Sequence, residues 1–270
     1  MLKHIIIYQI LSIICLFSTQ KGIAQDTVKD RVKPPIGYTR VTVEENSFGA
    51  FLRNMSLLPS GSPVLDYRGE EIYDQDNHIG IINYDVGHKD LQQCADAVIR
   101  LRTEYLWSQE KYDKISFHFT SGDVYSWEDH KKGIRPIVSG NKVSFASKKG
   151  YDDSYRNLKN YLDYIYMYAG TISINKEMKK VGLQEDIHIG DVIVVPGSPG
   201  HAVIIIDEAE NTSGDKVFLL AQGFTPAQSI HILKNNGDVN LNNWYSIKNG
   251  ETTTTARFVF YDTNVRRFKD

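Results

Sequence analysis

"DVIVVPGSPGHAVIIIDEAENTSGDKVFLLAQG", residues 191–223, decides the fold of this protein. Three β-rich runs, 191–195, 201–207 and 216–222, alternate with connections dense in Gly, Pro, Asn, Asp and Ser. Such residues supply the backbone geometry of turns. Connections this short join antiparallel neighbours, because a parallel crossover needs a dozen or more residues. The stretch therefore reads as an antiparallel meander, extended by short β runs at 229–233 and 256–262. Strand 201–207 then runs against 216–222. The start of one lies beside the end of the other, which sets His201 near Gln222.

Upstream the pattern is different. Residues 90–109 carry Leu91, Cys94, Val98, Leu101 and Tyr105 at steps of three and four, one face of a helix. Asp90, with Gln93 three residues on, resembles a capping box and predicts a helix that begins just after Asp90. Residues 152–170 repeat the pattern through Tyr155, Leu158, Leu162, Ile165 and Ala169, with Gly170 placed to end the helix. A shorter helix is expected near 172–181, a helix from about Ser47, and strands over 78–87 and 114–122. The run around Trp127 reads as a loop or loose hairpin. Helices first and sheet second make an α+β protein, with N-terminal helices packed on a mainly antiparallel β-sheet.

The chain begins with a basic start, an apolar run from Ile5 to Phe17, and small or polar residues up to Gln25. This is the pattern of a secretory signal peptide over residues 1–25. The apolar run is short for a membrane span. Export to the periplasm or cell surface is expected, with a lipidated Cys15 as the alternative to simple cleavage. Residues 26–37, ending in Pro-Pro-Ile-Gly, read as a linker, and 38–270 as a single α+β domain. No later segment is apolar enough to span a bilayer. A formal net charge of −2 gives no field that would attract nucleic acid or a polybasic-binding surface.

Behind the signal peptide one cysteine remains, Cys94. A lone thiol in an exported protein is either buried and inert or free to react. A reactive thiol needs a helix N-terminus or a neighbouring cation to favour the thiolate. It also needs an imidazole to carry its proton and a polar group to orient that imidazole. Cys94, His201 and Gln222 are the candidates for these catalytic roles. A packed structural cysteine and a loop histidine are the plainer alternatives. His88, His78 and His231 compete with His201, and Gln92 and Gln93 are candidate donors to an oxyanion or capping groups. No close His-x-His or His/Glu spacing supports a metal, so neither metal nor other cofactor is expected.

Three runs together, "DVGHKDLQQCADAVIRLRTEYLWSQ", "IGDVIVVPGSPGHAVIIIDEAEN" and "FLLAQGFTPAQSIHILKN", resemble an exported bacterial family classed as domain of unknown function 4846. That likeness runs from about Gly37 to Phe268 and implies no activity. Thr225 and Ser229 depart from its usual pattern, which has an acidic residue where Ser229 stands. More distantly, the Gly-Asp strand, turn and Gly-His strand are similar to the NlpC/P60 and CHAP branches of papain-like cysteine hydrolases. That resemblance implies a cysteine at a helix N-terminus, a histidine on a later strand and a polar third residue on the next. Cys94, His201 and Gln222 follow that order. The expected function is a cell-envelope thiol hydrolase, an amidase or peptidase acting on a peptide or peptidoglycan stem. The alternative is a non-catalytic module on the same scaffold that binds peptide or glycan through Trp127, Tyr125, Tyr151 and Trp244.

Overall fold

A computed structural model describes residues 26–269. Residues 1–25, where the signal-peptide pattern and Cys15 fall, lie outside the described residues. The N-terminal half contains α1 (Val28–Arg31), β1 (Tyr38–Arg40), α2 (Phe48–Arg53), β2 (His78–Ile81) and α3 (Cys94–Ser108). A hairpin of β3 (Ser116–His118) and β4 (Val124–Ser126) leads into α4 (Trp127–Lys131). A second hairpin follows, β5 (Ile134–Ser139) with β6 (Lys142–Ser147), then α5 (Tyr155–Tyr168) and α6 (Thr171–Glu177). The C-terminal part holds β7 (Lys179–Lys180), β8 (Val192–Val195), β9 (His201–Asn211), β10 (Lys216–Gln222) and β11 (His231–Leu233). It closes with β12 (Thr253–Thr254), β13 (Val259–Phe260) and β14 (Val265–Arg267).

The main sheet has eight strands in the order β2-β11-β10-β9-β8-β14-β7, with β1 also on β9, and every pairing is antiparallel. The meander read from 191–223 is its centre. The two halves of the chain are less segregated than the sequence suggests, since β1 and β2 join the sheet from the N-terminal side.

β9 is the axis of the molecule. From His201 to Ala209 every residue is buried, so both faces of the strand are covered. Ala202, Ile204 and Ile206 pack with Ala97, Val98 and Leu101 of α3 in the larger core. Val203 and Ile205 face the other way, onto Phe218, Leu220, Tyr245 and Phe260. The ladder with β10 skips Ile206: Leu219 pairs with Asp207 and Leu220 with Ile205. Such a bulge re-aims the side chains beyond it. Asp207 accordingly meets Arg40 of β1 and Arg53 of α2, each guanidinium Nε 2.6 Å from one of its oxygens.

Several expectations change. Residues 26–37 are not a free linker. Val28 and Val32 are buried in the larger core, and Val28 N–H donates to the Met55 carbonyl. Two apolar residues four apart are enough to dock one turn of helix. Around Trp127 the chain forms β4 and α4 rather than a loop, with Ser126 Oγ accepting from Asp129 N–H as the cap. Tyr125, Trp127 and Trp244 are all buried, so of the four aromatics expected on a binding surface only Tyr151 is exposed. Trp127 packs edge-on against Trp107 and Tyr161. Gly170 does not end α5 by a left-handed turn; it is extended and precedes α6. Among the described residues no helix is long and apolar enough to cross a membrane.

Removing the charge of Asp207 leaves two guanidinium groups facing a buried neutral site. Asp207→Asn is expected to destabilise the fold by about 3 kcal/mol, as breaking one side of a buried ion pair does. The urea midpoint of the variant measures it.

Candidate functional site

The helix predicted to start after Asp90 starts later. Asp90 Oδ1 accepts from Ala227 N–H at 2.7 Å and from Gln93 Nε2 at 3.2 Å, so its carboxylate ties a distant loop instead of capping. Gln93 is the residue before the helix, and its N–H donates to Asp96 Oδ2 at 3.1 Å. Cys94 is therefore the first helical residue of α3, where the unpaired N–H groups of the helix concentrate positive potential.

The end of β10 holds this helix start against the sheet. A Cβ on Gly223 would sit 2.6 Å from the Gln93 carbonyl oxygen and 3.1 Å from Ala97 Cβ. Only glycine permits that approach. Thr225 Oγ1 donates to Gln93 Oε1 at 3.1 Å, fastening the same junction from the next loop. The Pro-Gly turn between β8 and β9, residues 196–200, has a comparable constraint. A Cβ on Gly200 would overlap the Gly197 and Val195 carbonyl oxygens and the Thr171 hydroxyl. Thr171 Oγ1 in turn accepts from Gly197 N–H and donates to its carbonyl. The start of α6 thus pins the Pro-Gly turn, and His201 follows in a fixed position.

The structure brings His201 and Gln222 together as the hairpin required. His201 Nε2 lies 2.7 Å from Gln222 Oε1. A third side chain joins them. Gln222 and His231 are directly paired across β10 and β11, and Gln222 Nε2 lies 3.2 Å from His231 Nε2. His231 Nδ1 is 2.9 Å from the Ser229 carbonyl oxygen. His201 is walled by Phe224 and Phe258, ring centroids 5.0 Å away, and by Phe260 at 5.8 Å. The Arg257 guanidinium stacks on Phe224 at 3.9 Å.

Cys94 lies against the backbone of Ala202, the residue after His201. Burial pushes its thiol pKa up. The backbone N–H of Ala202, the residue after His201, pulls it down; Asp96 pushes it up, and the N–H groups of Ala95 and Cys94 pull it down. The net shift is upward. Burial also holds the His201 imidazole down to about 4, with the Gln222 bond opposing and Arg257 reinforcing the fall. Thiol and imidazole are both neutral at pH 7. Asp96 is itself raised to about 8 by burial.

Other candidates separate from the group. His88 is exposed. His78 lies on β2, its ring 6.2 Å from that of His231. Gln93 is occupied by Asp90 and Thr225. Gln92 is buried, its Oε1 held by Arg100 at 3.1 Å, while its Nε2 has no hydrogen-bond partner. Ser229, standing where an acidic residue was expected, hydrogen-bonds the Leu65 backbone through its hydroxyl. No group of three or more His, Cys, Asp and Glu among the described residues is arranged to hold a metal ion.

The family model described as domain of unknown function 4846 matches residues 28–267. The chain belongs to that family. No curated protein and no solved structure matches it significantly. In this member of the 4846 family, an apolar groove of about 750 Å3 opens beside His201, lined by Val195, Pro199, Thr254, Arg257, Phe258 and Tyr261. A cavity of about 850 Å3 lies elsewhere, at Phe48, Tyr105, His188 and Glu208, and none of Cys94, His201 and Gln222 lines it. His231 was the residue that sequence reasoning left unassigned. The signal was present: strand alternation in "SIHIL" puts His231 on one face with Leu233, but which face met Gln222 depended on pairing register.

His130, His201 and His231 are all held near 4 by burial, against an ordinary 6.5. The unfolded chain therefore binds more protons between those values, and stability falls as pH drops from about 6.5 towards 4. Each histidine contributes a slope of up to about 1.4 kcal/mol per pH unit in that window. His201→Gln should flatten the profile relative to wild type when denaturant midpoints are measured across it.

Proposed function

We propose that this protein is an exported thiol hydrolase that cuts an amide bond in a peptide, with a papain-like arrangement of Cys94, His201 and Gln222. One observation carries the reading. Cys94 opens a helix, and its sulfur meets the backbone N–H of the residue next to a histidine that is itself held by a glutamine. The order of the three residues and the Gly-His strand add the likeness to NlpC/P60 and CHAP hydrolases.

The neutral pair sets the chemistry. With no thiolate formed in advance, His201 acts as general base when substrate is bound. It takes the thiol proton as Cys94 Sγ bonds the amide carbonyl carbon. The imidazolium then gives that proton to the leaving nitrogen as the C–N bond breaks, leaving a thioester. Water repeats the sequence: its proton goes to His201, its oxygen bonds the carbonyl carbon, and the sulfur departs and is reprotonated. Helix N-terminal N–H groups suit the developing oxyanion. The apolar groove beside Phe258 suits a hydrophobic portion of the peptide. An envelope peptide, such as a peptidoglycan stem, is the substrate class that export would supply.

The binding-module alternative loses its stated surface, because three of its four aromatics are core residues. Iodoacetamide labelling of the folded protein across pH tests the thiol directly. Cys94 is expected to label in the native state, and a thiol that reacts only after denaturation would overturn the proposal. Against envelope peptides followed by mass spectrometry, Cys94→Ala should abolish cleavage. His201→Ala should lower the rate by about 10²–10⁴-fold, the usual worth of general acid–base catalysis.

A further inference from the structure

His231 has no part in the proposed bond-making steps, yet it is buried and bonded to the residue that orients His201. The hydrogen bonds along this chain determine one another. A backbone carbonyl only accepts, so the contact between His231 Nδ1 and the Ser229 oxygen places the proton on Nδ1. In a neutral imidazole the other nitrogen is then a bare acceptor. His231 Nε2 therefore requires a donor at 3.2 Å, and the NH2 of Gln222 is the group that faces it. The opposite amide orientation would set two acceptors against each other in a buried site, which is costly. Gln222 must present its oxygen to His201. At 2.7 Å that oxygen demands a proton on His201 Nε2. Nδ1 of His201 is left with the lone pair.

We infer that His231 is a positioning residue. Held by the Ser229 carbonyl, it fixes the Gln222 amide and through it locks His201 in the Nε2–H form, leaving Nδ1 as the proton acceptor. The relay spans three side chains and starts from a backbone group, so its sense does not depend on the side chain at position 229. It also assigns distinct roles to two histidines of similar burial. His201 exchanges a proton in turnover, and His231 keeps its own in place. The inference deepens the thiol-hydrolase reading, since His201 is taken there as the base. The tautomers themselves can be measured whether or not the protein hydrolyses anything.

Long-range 1H–15N correlation spectra of the 15N-histidine-labelled full chain at pH 7 report which ring nitrogen carries the proton. The wild type should show Nε2–H for His201 and Nδ1–H for His231. His231→Phe keeps a ring but removes the acceptor, freeing Gln222 to turn; His201 should then show a mixture of both tautomers. His231→Gln restores a group able to donate to Ser229 and accept from Gln222, and should return His201 towards Nε2–H. If His231→Phe does not fold, Gln222→Glu serves instead: a carboxylate offers no donor, so His231 should acquire a proton on Nε2. Under the hydrolase reading His231→Phe also lowers kcat on the order of tenfold, a fraction of a full acid–base contribution, with KM unchanged. Nδ1–H at His201 in the wild type, or an unaltered His201 signal in folded His231→Phe, overturns the relay. Cys94→Ala leaves the tautomers as they are. Correct tautomers without hydrolysis would count against the hydrolase reading alone. Hydrolysis with His201 unaffected by His231→Phe would count against the relay alone.

Discussion

Burial of β9 on both faces is the constraint on which the rest of the structure depends. A strand covered from above by α3 and from below by the second core cannot leave a polar group to water. Each one it carries must find a partner inside the protein. Asp207 takes two arginines. Glu208 takes Lys216 and the Ile189 N–H. His201, at the strand's beginning, takes Gln222. The apolar run gives the strand its place in the core, and the polar residues then recruit β1, α2, β10 and β11 to fixed positions around it.

The same constraint gives the candidate site its electrostatic character. His201 is walled by Phe224, Phe258 and Phe260, and His231 is buried in the sheet. Their neutral forms are favoured for that reason. In a neutral imidazole one ring nitrogen donates and the other accepts, so a chain of neutral donors and acceptors carries a sense of direction. The Cys94 thiol is raised by burial as well. The backbone N–H of Ala202 and the start of α3 oppose that rise without reversing it.

Much of this was legible in the residues. The antiparallel meander followed from short turns between β-branched runs, and the His201–Gln222 contact followed from the meander. Export, family membership and the order Cys94, His201, Gln222 were read from motifs. Of these, the family is shown by a match across residues 28–267, while export and catalysis stand as proposals. The start of α3 was misread because Asp90 looks like a cap. Its carboxylate is instead claimed by Ala227, 137 residues away in sequence. Trp127 and Trp244 were misread because a tryptophan near turn residues looks exposed, whereas its burial depends on which helices close over it.

Local sequence determined what local physics can fix: where strands run, where they turn, which helical faces are apolar, and that Gly-His begins a central strand. Tertiary structure decided the rest, because it turns on contacts between distant segments. A skipped residue at Ile206 sent Asp207 to its arginines. Gly223 admitted the helix start against the sheet, and Asp90, claimed by Ala227, left Cys94 as the first helical residue rather than the fourth. The pairing of Gln222 with His231 converted a two-residue contact into a relay ending on a backbone carbonyl. Periodicity names the face a side chain can occupy; only the register of neighbouring strands names the atom it will meet.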